Sequence, residues 1–168
     1  MNERPDPASD LRERIDVAVV MDRETAPNRH EDWRFRIVEV VPDEVAFGSE
    51  PRVLRDDGRV RRTLHPGFSI ELFRDQADGY HLNLGSGTPV WFVVWRIDDE
   101  EPSRAWPETV SLSYTEAGRW LDAKERVDNV PLPPEIAAWL QRYTDEHYKP
   151  EPKKRRRPQS FVAPGERQ

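Results

Sequence analysis

The sequence predicts an α+β fold: mainly antiparallel β-strands, in a curled sheet or a small barrel, with two C-terminal helices and a disordered basic tail. Three observations carry that expectation. From residue 15 to residue 114, apolar residues recur with period two in short runs broken by Gly, Pro and Asp-Gly turns. Beyond residue 114 the apolar spacing becomes helical. No regular alternation of strand and crossover helix, as a parallel sheet requires, runs through the chain.

The elements follow in order. Residues 1–14 are charged, carry two prolines and have no apolar period, which predicts a flexible N-terminus before a single domain over 15–148. Ile15 to Met21 (IDVAVVM) is β-branched and apolar on both sides, as in a buried strand. Trp33, Phe35 and Ile37 alternate with Arg34 and Arg36, and Pro42 ends that strand. Arg52 to Leu64 predicts a hairpin turning at Asp57-Gly58, and Pro66-Gly67 predicts a second turn. Phe68, Ile70 and Leu72 share one face of the next strand. Tyr80, Leu82 and Leu84 then mark another strand, with His81 and Asn83 on its opposite face. Val90 to Ile97 (VWFVVWRI), apolar on both faces, is the expected central strand, and Val110 to Tyr114 a shorter one. Thr115 is the expected N-cap of a helix holding Ala117, Trp120 and Leu121. Pro134 and Glu135 open a second helix with Ile136, Trp139, Leu140 and Tyr143 on one stripe. Helix is thus expected only over about residues 114–148.

The 168 residues are enough for one domain of ordinary size. The chain contains no cysteine, so it supplies no disulfide, thiolate metal site, iron–sulfur ligand or cysteine nucleophile. Charged residues make up 35% of the chain and the mean hydropathy is -0.89. The longest strongly apolar run, Val90 to Val94, falls far short of the ~20 residues needed for a membrane span. The N-terminus has no apolar signal-peptide core, and the expected location is the cytoplasm. Charge is unevenly placed. Residues 149–168 carry seven basic and two acidic side chains, a balance of +5, and the rest carry 19 basic and 30 acidic, a balance of -11. The tail has too little apolar surface to order itself and is expected to be disordered.

No catalytic, metal-binding or cofactor motif emerges. Gly85-Ser86-Gly87 lies between two expected strands and reads as a hairpin turn rather than a phosphate loop. His30, His65, His81 and His147 lack ligand spacing, and His65 reads as a turn residue beside Pro66-Gly67. Ser111 and Ser113 lack the glycines of a nucleophile elbow. Three features stand out as candidates. Arg74, Asp75, Tyr80 and His81 meet across one expected hairpin as a polar patch. Trp106, in the loop Glu101 to Pro107, either folds onto the core or anchors an interface. Lys153, Lys154, Arg155, Arg156 and Arg157 form a run suited to an acidic protein surface, nucleic acid or an anionic membrane. No aromatic stacking platform precedes that run, and the acidic body repels a phosphate backbone.

Several stretches together resemble an uncharacterised bacterial domain family of about this length. They are 65–84 (HPGFSIELFRDQADGYHLNL), 90–96 (VWFVVWR), 110–122 (VSLSYTEAGRWLD), 130–140 (VPLPPEIAAWL) and 147–158 (HYKPEPKKRRRP). With the strand at 15–21, the resemblance covers roughly residues 15–160. Some members carry the label molybdopterin-guanine dinucleotide biosynthesis protein A, and their genes lie near those of formate dehydrogenase and its accessory proteins. The resemblance implies a place in molybdenum-enzyme maturation. The guanylyltransferase of that label grips its nucleotide with an N-terminal glycine-rich loop, whereas Ile15 to Asn28 here contains no glycine and no lysine.

The expected function is therefore that of a non-catalytic accessory or interaction protein, with a molybdoenzyme or its accessory factors as partner. Two other readings stand beside it: an enzyme of molybdopterin nucleotide biosynthesis, and a nucleic-acid-binding protein acting through the basic tail.

Overall fold

In the computed structural model, residues 14–25 and 33–150 are described. They form an α+β fold of mostly antiparallel strands, as the sequence predicts, arranged as two separate sheets rather than a closed barrel. The first sheet contains β1 (Arg14–Thr25), β2 (Trp33–Pro42), β3 (Arg52–Asp56) and β4 (Val60–Glu71), in the order β2-β1-β4-β3. The second contains β5 (Val90–Ile97), β6 (Ala105–Ser111) and β7 (Arg126–Pro131), in the order β6-β5-β7. Three helices accompany them: α1 (Ala77–Gly85), α2 (Tyr114–Asp122) and α3 (Pro134–His147). None of these is long and apolar enough to cross a membrane.

β1 is the centre of the first sheet. Val17, Val19 and Met21 face the main core, while Ala18 and Val20 join Leu64 in a smaller cluster on the outer face. The expected hairpin is β3–β4, with Gly58 at φ 81 in its turn, where glycine adopts the left-handed conformation without a Cβ clash. The expected turn at Pro66-Gly67 is instead a bulge inside β4. The ladder passes from Val17–Phe68 to Val19–His65, so β4 holds one residue more than β1. Gly67 takes φ 92 there, and its N–H donates to the Asp43 carboxylate at 3.1 Å. The bulge removes a ladder bond at the point where proline has none to give.

The expected strand at Tyr80, Leu82 and Leu84 is the helix α1. Its buried positions are Ala77, Gly79, Tyr80 and Asn83, the spacing of a helical stripe, and Leu82 is 45% exposed. Helix is therefore not confined to residues 114–148. Asn83 fastens α1 to the second sheet. Its amide nitrogen donates to the carbonyls of Val90 (2.8 Å) and Leu112 (2.9 Å), and its amide oxygen accepts from the Val90 N–H at 3.0 Å. Gly85-Ser86-Gly87 accordingly ends a helix rather than turning a hairpin.

β5 is the centre of its sheet, as expected, but its neighbours differ from the sequence reading. β6 begins at Ala105, which puts Trp106 and Pro107 on a strand, and Tyr114 belongs to α2. Ser113, not Thr115, caps α2, its hydroxyl accepting from the Glu116 N–H at 3.2 Å. β7 had no counterpart in the sequence reading. The chain leaves β6, forms α2 and returns as β7 on the far side of β5. α3 starts at Pro134, as expected, and Tyr143 meets Tyr80 of α1 edge to face with centroids 6.0 Å apart. One carboxylate joins the two sheets: Asp128 accepts from the Ile37 N–H and from the Trp95 indole N–H, both at 3.0 Å.

Candidate binding cleft between the sheets

β1 and β4 are 12 residues each, whereas the strands of the second sheet have six to eight. At ~3.3 Å per residue the first sheet outreaches the second. The inner face of β1 is apolar through Val17, Val19 and Met21, then turns polar at Arg23, and a cleft of about 710 Å³ opens there. Its floor is Met21, Asp22, Arg23, Phe35, Arg61, Thr63 and His65. The facing wall is Ala105 and Trp106 with Asp98, Glu101, Ser103 and Arg104 of the β5–β6 connection, and Pro51 and Val53 close the side beside β3.

Strand register sets the electrostatics. Arg23 lies directly opposite Arg61, an unfavourable like-charge pair on adjacent strands. Burial and then the charge of Arg61 hold the Arg23 guanidinium below its usual pKa. Arg23 donates to the Ser103 carbonyl at 3.1 Å, and its guanidinium lies 4.3 Å from the Trp33 ring centroid. Arg61 donates to Asp56 at 3.0 Å. On the opposite wall Arg104 stands over Trp106, 5.9 Å from its centroid. His65 is pushed down to about 4 by burial, so its imidazole is neutral at pH 7. Asp98 accepts from the N–H groups of Glu100 (2.9 Å) and Glu101 (3.3 Å), which ties it to its own turn. The chemistry of the cleft is recognition: guanidinium donors on two walls, the carboxylates of Asp98 and Glu101, aromatic surface and a neutral imidazole.

The sequence candidates fall in different places. Trp106 is half-buried and lines the cleft, from a strand rather than a loop. Arg74 and Asp75 are exposed in a single helical turn before α1. Tyr80 points into the core, where its hydroxyl accepts from the Phe73 N–H at 3.1 Å and burial raises its pKa to about 12. His81 is exposed and stacks on Tyr148 at 4.1 Å. The hairpin expected to join these four is a helix, and Tyr80 and His81 part company on it. Lys153 to Arg157 lie outside the described residues. Among the described residues, no group of three or more metal-ligating side chains could hold an ion.

Sequence reasoning missed Arg23, Arg61, Thr63, His65 and Arg104. The signal for three of them was present: Arg61, Thr63 and His65 alternate along one strand. Reading Pro66-Gly67 as a turn cut that strand short and turned His65 into a loop residue.

The molecule is thus an open two-sheet α+β domain with an arginine-lined cleft where the longer sheet overhangs the shorter. The chain belongs to the family described as "Protein of unknown function (DUF3305)", whose match covers residues 16–157. No curated protein and no solved structure matches it.

Proposed function

We propose that this chain is a non-catalytic accessory protein of the cytoplasm that binds a protein partner through the cleft. The observation that carries this reading is the Arg23–Arg61 pair, opposed on adjacent strands and faced by Arg104 and Trp106 across the cleft. Like charges placed side by side raise the energy of the free protein, Asp56 and Glu101 offset part of that cost, and an anionic partner relieves the rest. The partner is a molybdenum-dependent formate dehydrogenase or one of its accessory factors. That assignment rests on the family resemblance of residues 65–84, 90–96, 110–122, 130–140 and 147–158.

The guanylyltransferase alternative requires backbone N–H groups at the N-terminal stretch to cradle phosphate. β1 occupies that stretch as far as Thr25 and is hydrogen-bonded to β2 on one side and β4 on the other, so its N–H groups are committed to the sheet. A native pull-down with the full-length chain, read by mass spectrometry, tests the proposal. Enrichment of a molybdoenzyme or its maturation factors is expected, and enrichment of neither overturns it. Calorimetry with GTP and magnesium is expected to show no micromolar binding, and such binding would restore the transferase reading.

A further inference from the structure

We infer that the cleft docks an acidic, extended segment of the partner, which adds a strand along the free edge of β3. The inference rests on the interaction reading above and names what the partner presents. Among the described residues β3 is the edge of its sheet, paired only with β4, and all five of its residues are exposed. Its outer backbone groups are therefore free to pair with another extended chain. Pro51 and Val53 place that edge on the rim of the cleft, so a strand added to β3 lies alongside the arginines.

Charge selects the occupant. The cleft lining sets Asp22, Asp98 and Glu101 against Arg23, Arg61 and Arg104. The β3–β4 hairpin beside it, however, carries five arginines (Arg52, Arg55, Arg59, Arg61 and Arg62) against Asp56 and Asp57, a local positive excess on a chain whose residues 1–148 carry a net -11. Arg55 and Arg61 are held by Asp57 and Asp56 in exposed pairs, which solvent screens and which exchange readily for a partner carboxylate. Alternate side chains of an added strand point to opposite faces, so its acidic residues turn into the cleft beside Arg61 and Arg104 while the apolar ones between them lie on the outer face. Val53 and Leu54 are 53% and 51% exposed in the free chain. The chain's own tail, with its run Lys153 to Arg157, has the wrong sign to be this occupant.

Fluorescence anisotropy with the full-length chain tests the inference, using a labelled octapeptide of alternating glutamate and valine. A lysine-for-glutamate peptide and a backbone N-methylated acidic peptide are the controls. The acidic probe is expected to bind at least about tenfold more tightly than the lysine probe and to weaken with added salt. N-methylation, which removes strand pairing, and Arg104→Glu are each expected to weaken it about tenfold. If Arg104→Glu lowers the melting temperature, the N-methylated probe against the unaltered chain carries the test alone. Equal binding of acidic and lysine probes overturns the inference, as does full binding of the N-methylated probe. Self-association of the chain that competes with the probe assigns the edge to a second copy and also overturns it. Probe binding with a failed pull-down removes the proposed function alone, and a failed probe with an intact pull-down removes this docking site alone.

Discussion

Consecutive residues of β1 face opposite sides of one sheet, and each meets an arginine of β4: Asp22 lies opposite Arg62, and Arg23 opposite Arg61. On the outer face the carboxylate of Asp22, only 1% exposed, accepts from Arg62 at 2.8 and 3.0 Å and pairs with Arg36 of β2 at 3.5 Å. The Arg62 bond holds its carboxyl below the ordinary range despite burial. On the inner face, one residue later, two guanidiniums confront each other at the mouth of a cleft. The same register thus produces a completed ion cluster on one side and an incomplete one on the other. The first is a structural clasp. The second keeps a like-charge contact that Asp56 and Glu101 offset only in part, and the two should respond to mutation unequally.

The largest expected effect is on the clasp. Asp22→Ala leaves two arginines without their carboxylate and should cost about 3 kcal/mol, near the low end for a broken buried pair because both arginines reach solvent. Arg61→Ala should change stability by less than about 1 kcal/mol, since it removes a repulsion along with an exposed pair. Urea unfolding of both variants measures the contrast, and equal losses would break it.

Where helices close over the sheets there is no spare room, unlike at the cleft. A methyl group at Gly79 would overlap the Ser113 hydroxyl and lie 3.1 Å from Thr115 Oγ1. Gly79→Ala should therefore cost about 2 kcal/mol by overpacking and disturb the cap of α2, whereas Val53→Ala in the cleft should be near neutral. Thermal melts of the two variants read the difference.

Acid distinguishes the two faces next. His65 on the inner face keeps its neutral form down to about pH 4, while an unfolded histidine protonates near 6.5. The unfolded state binds the extra proton in that window, so stability should fall as pH drops from 6.5 towards 4, by on the order of 1 kcal/mol at pH 5. His65→Gln should flatten that slope. Asp22 acts lower: its folded carboxyl is depressed below 3.8, so its stabilisation is present above 3.8 and lost as pH falls through the folded value. Urea titrations at a series of pH values separate the two.

The smallest effect is expected from the basic tail. Deleting residues 150–168 removes charge but little apolar surface and should leave the melting temperature nearly unchanged. A large drop would mean that the segment packs on the domain.

Elements whose burial repeats along the chain were readable from the sequence. The VAVV run of β1, the VWFVVWRI of β5, the Asp57-Gly58 hairpin and the stripe of α3 each declare themselves through neighbours in the chain. α1 was not readable, because Tyr80, Leu82 and Leu84 alternate like a strand while a polar residue, Asn83, is the one buried beside Tyr80. β7 was hidden because it buries only Val130 fully and owes its existence to pairing with β5, far away in sequence. The cleft was hidden for the same physical reason. Side-chain alternation is a local property of a strand, but which arginine meets which, and where one sheet overhangs another, is decided by register and by long-range packing. Composition and local period determined the α+β class and several of its elements, and the tertiary structure alone decided that Asp22 would meet its counter-charges and Arg23 a like charge.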